Sequence, residues 1–215
     1  MQLLTGQQLA ARQEQAKPYW LIGLDLGQSQ DYTAIAVLRA APQPEGKSRF
    51  ECGHLERVKL GTPYPAIVEA VTNLTRRPEV GDWQLIVDAT GVGRPVVDLF
   101  RDALPKAQVK PITITSSGKA TSGGYGLRVP KRDLVTNLQV LLETSRLRFA
   151  SALLEIEPLV QEVLAFQVKI SDAGHDTYGS WRSGSHDDLV LAVALAAWYG
   201  ERRGRRPVAQ SQQLY

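Results

Sequence analysis

A chain of 215 residues, 43% of them hydrophobic, can bury one sizeable core, and nowhere does it hold the roughly 18 consecutive apolar residues that a membrane span needs. Its single cysteine, Cys52, excludes an internal disulfide framework and any zinc site built on several thiolates, and fits a reducing compartment. The net charge of +3 and pI near 9.0 permit nucleic-acid binding without demanding it, because affinity for phosphate depends on where the basic residues cluster.

Residues 1–18 read as a polar, helix-prone leader or linker that lacks the apolar core of a secretory signal and ends at Pro18. The stretch WLIGLDLGQSQDYTAIAV, Trp20 to Val37, reads as two strands joined by a polar loop. Period-2 alternation puts Trp20, Ile22, Leu24 and Leu26 on one face of the first strand and Leu21, Gly23 and Asp25 on the other, with Gly23 leaving space beside the carboxylate. A second strand from Tyr32 to Arg39 and a third from Arg49 to Lys59, separated by the turn AAPQPEGKS, complete an antiparallel meander. A helix with apolar Ile67, Val68, Val71 and Leu74 spans Pro65 to Thr75. A short apolar strand, Trp83 to Val87, then ends on Asp88. DATGVGRP is a turn, Val92 to Leu104 a helix, and Val109 to Thr115 a strand.

The serine- and glycine-rich SSGKATSGGYGLR is expected to be a mobile surface loop. Pro130 opens a helix whose buried stripe is Leu134, Val135, Leu138, Leu141 and Leu142, and a further helix covers Ala152 to Ala165 with a restart at Pro158. Phe166 to Ile170 and Thr177 to Arg182 are predicted to pair as a β-hairpin. The last element, Asp187 to Tyr199, is apolar nearly all round and is closed by Gly200, which marks a buried helix. The expected organisation is therefore one α/β domain over residues 19–200, with a mixed sheet and helices on its faces, followed by a basic, disordered tail over 201–215.

Three acidic positions stand at element ends or in apolar settings: Asp25, Asp88, and the pair Asp187 and Asp188 opening the last helix. Sites in open α/β sheets collect at the carboxyl ends of strands, where Asp88 falls, and a strand pairing beside that of Asp25 would bring the two side chains together. Carboxylates forced together repel until protons or divalent cations relieve them, and hard oxygen ligands without cysteine suit Mg²⁺ or Mn²⁺. Two such ions, about 3.5–4 Å apart, activate a water and stabilise the leaving oxygen of a phosphodiester. Each position also has a purely structural reading. Asp88 can hydrogen-bond its own turn as an Asx-turn residue, and Ser185-His-Asp-Asp188 fits a loose capping box.

The motifs LIGLDLGQSQDYTAIAV, LIVDATGVGRPVVD and GSHDDLVLAVALAAW, in this order, resemble the nuclease domain of tailed-phage terminase large subunits. That family has the RNase H-like fold shared with retroviral integrases and Holliday-junction resolvases. The resemblance covers about Tyr19 to Gly200 and implies a mixed five-stranded sheet (the three-strand meander plus parallel strands), helices on both faces and an extra β-hairpin. Carried over by position, it implies catalytic, metal-binding roles for Asp25, Asp88 and Asp188, with Asp187 a further metal ligand and Asp31 and His186 auxiliary. It also implies that the hairpin Phe166–Arg182 flanks the DNA path.

The activity so implied is a metal-dependent endonuclease, a hydrolase that cuts concatemeric phage DNA during genome packaging with two Mg²⁺ or Mn²⁺ ions and little sequence preference. Double-stranded DNA is the implied partner, with a packaging ATPase, small terminase or portal protein as further ones, no membrane, and the host cytoplasm as location. One departure is that the chain has no room for the packaging ATPase of a complete large terminase. SSGKAT is not a P-loop, since Thr113 stands where its first glycine belongs and Ala120 follows the lysine.

Lys119, Arg128, Lys131, Arg132 and Arg182, with Arg94, fall on loops or element starts near the expected site and suit phosphate contacts that position a duplex without reading its sequence. His54, His175 and His186 lack zinc-site spacing. Other readings are a Holliday-junction-resolvase-like nuclease, an ATP-binding fragment of the actin and sugar-kinase type, and a non-catalytic DNA-packaging module.

Overall fold

The computed structural model describes residues 17–27, 31–43, 47–91, 93–172 and 187–204. The expected second hairpin arm Thr177–Arg182, with Trp181 and Arg182, lies outside the described residues, as do His175, His186, most of the leader and the end of the tail.

Among the described residues, eight strands form one sheet. They are β1 (Tyr19–Asp25), β2 (Thr33–Pro42), β3 (Ser48–Val58), β4 (Trp83–Asp88), β5 (Val109–Thr115), β6 (Thr121–Ser122), β7 (Leu127–Pro130) and β8 (Leu147–Phe149), in the spatial order β6-β7-β5-β4-β1-β2-β3-β8. The meander β1-β2-β3 is antiparallel, whereas β4 joins β1, β5 joins β4 and β7 joins β5 in parallel. The mixed sheet is as expected, but it has eight strands rather than five. The additions are β6, β7 and β8, all short and at the margins, where two to four residues leave little unpaired edge.

Among the described residues, five helices cover the sheet: α1 (Tyr64–Thr75), α2 (Gly93–Ala103), α3 (Lys131–Glu143), α4 (Ile156–Asp172) and α5 (Asp188–Gly204). Alternation along the strands separates two cores. Ile22, Leu24, Ile35, Leu85 and Val87 pack with Val68 and Val71 of α1 and Val97 and Phe100 of α2. Leu21, Ala34, Ala36, Leu38 and Ile86 pack with Leu134 and Leu138 of α3, Leu159 of α4 and the whole apolar length of α5. Helices therefore lie on both faces, and Asp25 and Asp88 belong to the face that carries α5.

Gly23 does not serve to leave room beside Asp25, as the strand pattern suggests. A Cβ there would lie 1.9 Å from the Ala192 carbonyl oxygen and 3.0 Å from the Ala196 Cβ, so the missing side chain is what lets the α5 backbone rest on β1. Gly200 does the same one contact further on, against Phe50 and Leu21. It lies inside α5 instead of closing it, and the helix runs on to Gly204.

Two further expectations change. Phe166–Ile170 is not a hairpin arm, because it lies within α4, which runs 17 residues without interruption. No glycine or proline stands between Leu159 and Asp172 to stop it, and each added helical residue gains a hydrogen bond, so propagation overrides the strand-like composition of FQVKI. Pro158 falls in the first turn, where its missing N–H costs nothing. The glycine-rich loop after β5 is itself folded, as β6 pairs antiparallel with β7. Tyr125 anchors it to α2, its hydroxyl donating to the Arg94 carbonyl at 2.9 Å and its ring lying 5.0 Å and 4.6 Å from the guanidinium groups of Arg94 and Arg101. No helix among the described residues is long and apolar enough to cross a membrane.

Candidate metal centre

The parallel register of β1 and β4 pairs Leu24 with Val87, so the next residues, Asp25 and Asp88, stand side by side at the carboxyl ends of adjacent central strands. Both are half-buried. The two carboxyl groups are close enough to act on one another electrostatically. Burial pushes Asp25 well above the usual carboxylate range, and the negative charges of Asp88, Asp187 and Asp188 push it further. Asp88 is also raised by burial, with hydrogen bonds from Thr90 and the contact with Asp25 opposing the rise. Both carboxyls are thus raised, and interacting groups of this kind titrate as a pair.

Asp88 also fulfils its structural reading. Its Oδ1 accepts hydrogen bonds from the Thr90 amide at 2.8 Å and the Thr90 hydroxyl at 2.5 Å, and that hydroxyl oxygen accepts the Ile114 amide of β5 at 2.8 Å. The Asx turn orients the carboxylate and links it to the neighbouring strand.

The remaining acids come from α5. The Asp187 carbonyl accepts the Leu191 amide at 2.9 Å, so Asp187 is the N-cap and Asp188 the first helical residue, where the helix dipole favours negative charge. The Asp187 carboxylate receives the Lys131 ammonium at 2.8 Å, and the Asp188 carboxylate receives Nε of Arg57 at 3.0 Å. Burial lowers the Lys131 pKa, opposed by Asp187, Asp25 and Asp88. Lys131, one of the basic residues with a position suited to phosphate contact, is thus turned inward to the acids. Lys119 and Arg128 are exposed, and Arg132 donates to the Gly118 carbonyl at 3.0 Å.

Asp31 is exposed and lines a separate cleft of about 170 Å³ with Lys59, Tyr64 and Ile67, on the α1 side. The structure therefore brings together Asp25, Asp88, Asp187 and Asp188, places Asp31 in the cleft on the α1 side, and leaves His186 and Arg182 outside the described residues.

Arg57, Thr90 and Glu162 are the participants that the sequence pattern does not single out. Thr90 is legible in hindsight as the second residue after a strand-end aspartate, but Arg57 and Glu162 reach the site from 131 and 28 residues away from their partners on α5.

Among the described residues, no three His, Cys, Asp or Glu side chains form a closed ligand set for an ion. Two carboxyls face each other and two face cations. The donor set nonetheless fits a hard divalent cation: it is all oxygen, is held on two strand ends and a helix start, and sets Asp25 against the negative charge of Asp88, Asp187 and Asp188, a repulsion that a cation would relieve.

Residues 22–198 match the family described as the terminase RNaseH-like domain. Among solved structures, the human cytomegalovirus terminase nuclease domain, soaked with Mn, is 14% identical, covering 86% of each chain with a TM-score of 0.54. The large terminase nuclease of thermophilic phage G20c is 22% identical over 84% of this chain and 81% of that one, with a TM-score of 0.49. RuvC of Thermus thermophilus is 14% identical over 86% and 95%, with a TM-score of 0.45. No curated protein gives a significant sequence match. The cytomegalovirus likeness shows a shared fold, and with a family match running from the first strand into the last buried helix, the chain belongs to the terminase RNase H-like domain family.

Proposed function

We propose that the chain is a metal-dependent endodeoxyribonuclease of the terminase type, cutting concatemeric double-stranded phage DNA during packaging with little sequence preference. The observation that carries this reading is the side-by-side pairing of Asp25 and Asp88 on β1 and β4, with Asp187 and Asp188 brought to the same end by α5. Asp25, Asp88 and Asp188 would hold two Mg²⁺ or Mn²⁺ ions, with Asp187 auxiliary. Bound there, the ions supply a water nucleophile at neutral pH and charge stabilisation at the leaving oxygen.

The protein's own groups have distinct tasks. Asp88 is oriented by Thr90, and the strand ends keep Asp25 beside it. Lys131, close to three acids, supplies positive charge on the side where a phosphate would approach. Lys119 and Arg128, exposed on the β6–β7 hairpin and the segment before it, suit backbone contacts along a duplex. A packaging ATPase, small terminase or portal protein would be the partner in the host cytoplasm.

The test is cleavage of supercoiled plasmid in MgCl₂ and in MnCl₂ by the wild type, Asp25→Ala and Asp88→Asn. Cutting by the wild type that both variants lose supports the assignment, and undiminished cutting by both overturns it. A labelled four-way junction offered in competition with linear duplex separates this activity from junction resolution.

A further inference from the structure

Arg57 faces the acids because β3 contains a bulge. Leu38 of β2 pairs with Cys52, but Val37 pairs with His54, so Gly53 is left without a cross-strand partner. Before the bulge, Phe50 and Cys52 point into the core beneath α5; after it, Leu55 does, and Arg57 follows two residues on. Unbroken alternation would have sent His54 and Glu56 to that face. Instead those two pair with one another at 3.1 Å on the other, more open side. One extra residue thus re-aims a cation from the α1 face to the site.

The guanidinium is held on three sides. Nε donates to Asp188 Oδ2 at 3.0 Å, Nη2 donates to Glu162 Oε1, and the group lies 5.3 Å from the centre of the Tyr32 ring. Glu162 in turn accepts the Val190 amide at 2.9 Å through its other oxygen, so α4 grips both Arg57 and the first turn of α5. The side chains of Glu162 and Asp188 are 5% and 6% exposed. Buried ion networks seldom stabilise more than apolar packing would, since desolvation offsets the attraction. A buried fork that ends on a candidate ligand is better explained by the orientation it imposes, as residues behind metal ligands commonly do.

We propose that Arg57, aimed by the Gly53 bulge and held by Glu162 and Tyr32, is a positioning residue that fixes the Asp188 carboxylate for metal coordination. This role rests on the metal-dependent reading above. A carboxylate oxygen has two lone pairs, so an N–H on Oδ2 orients the group without exhausting its capacity as a ligand. Glu162 acts one step further back, by fixing the guanidinium plane and the helix start together.

The experiment is calorimetric titration of MnCl₂ into wild type, Asp25→Asn, Arg57→Gln, Arg57→Lys and Glu162→Gln, with urea unfolding of each. Arg57→Gln should weaken Mn²⁺ binding about 10–100-fold. Arg57→Lys, which restores charge but not the planar fork, should recover only part of it. Glu162→Gln should weaken binding severalfold. A merely structural role predicts lower stability with wild-type Mn²⁺ affinity in the folded molecules, and that result overturns the proposal. Should Arg57→Gln fail to fold, wild-type affinity in both Arg57→Lys and Glu162→Gln would overturn it equally. Absence of Mn²⁺ binding by the wild type would instead bring down the metal-dependent reading itself, and this inference with it.

Discussion

The two ends of α5 carry charge of very different balance. At its carboxyl end, Glu201 receives Arg146 through both oxygens, at 2.7 Å and 3.2 Å, and Arg203 meets Asp82 at 2.5 Å, so each acid has its own cation. Tyr19 completes that end, donating to the Gly200 carbonyl at 3.2 Å and lying beneath the Arg203 guanidinium. At the amino end, Asp25, Asp88, Asp187, Asp188 and Glu162 gather around Lys131 and Arg57. Among the described residues, one helix is thus fastened by matched pairs at one end and gathers more acids than cations at the other. Matched charge holds a structure together, whereas surplus charge held by rigid elements is poised for a cation.

That contrast can be broken by experiment. The largest effect is expected from Asp25→Asn or Asp88→Asn, which should lower plasmid cleavage about a thousandfold, the equivalent of several kcal/mol of lost charge stabilisation. Melting in EDTA should show no loss of stability in either variant, because repulsion has been removed. Arg146→Met should behave in the opposite way. By leaving Glu201 buried without its cation it should cost about 3–5 kcal/mol in urea unfolding, with cleavage per folded molecule unchanged. Equal destabilisation by substitutions at the two ends would erase the distinction.

Gly23→Ala should sharpen it, since the added Cβ collides with the Ala192 carbonyl in the second turn of the helix. About 1–3 kcal/mol of stability should be lost, and cleavage should fall as well because Asp188 rides on the displaced helix. Acidity gives a further test. Burial raises Glu162 from 4.5 to about 7, with the Val190 amide and Arg57 pulling against the rise and Asp188 adding to it. The folded state therefore binds more protons than the unfolded state in that window, so metal-free stability should decline as pH rises from 4.5 to about 7. Asp25 and Asp88, also raised, act in the same direction, and MnCl₂ should flatten the slope. The smallest effects belong to Lys119→Ala and Arg128→Ala. Each should reduce the salt dependence of DNA binding by about one counterion while leaving stability within about 0.5 kcal/mol.

Much of this architecture is legible from residue order alone, because local pattern governs it. Strict alternation places Asp25 opposite Ile22 and Leu24, and a short apolar run ending on an acid marks β4 and Asp88. What escapes is set by long-range packing. The Gly53 bulge inverts the parity of β3, so no periodicity could have turned Arg57 inward. Glu162 looks like one more polar residue on an amphipathic helix until Val190 is folded against it. Phe166–Ile170 has strand composition, yet it continues a helix already under way. The same context dependence made Gly23 look like clearance for a carboxylate when it is the seat of a helix.

That seat has a consequence for how such a protein can diversify. With Gly23 under Ala192 and Gly200 under Phe50 and Leu21, α5 cannot slide by a turn, about 5.4 Å, without clashes at both contacts. The spacing of the acids is therefore inherited from small residues that carry no charge, and these positions should tolerate almost no variation in a saturation library. Freedom lies instead at the margin of the sheet, where the β6–β7 hairpin is attached to α2 by Tyr125 and can be lengthened or recharged. On the proposed function, altering which DNA is gripped and altering how it is cut would be separable tasks for a lineage or a designer.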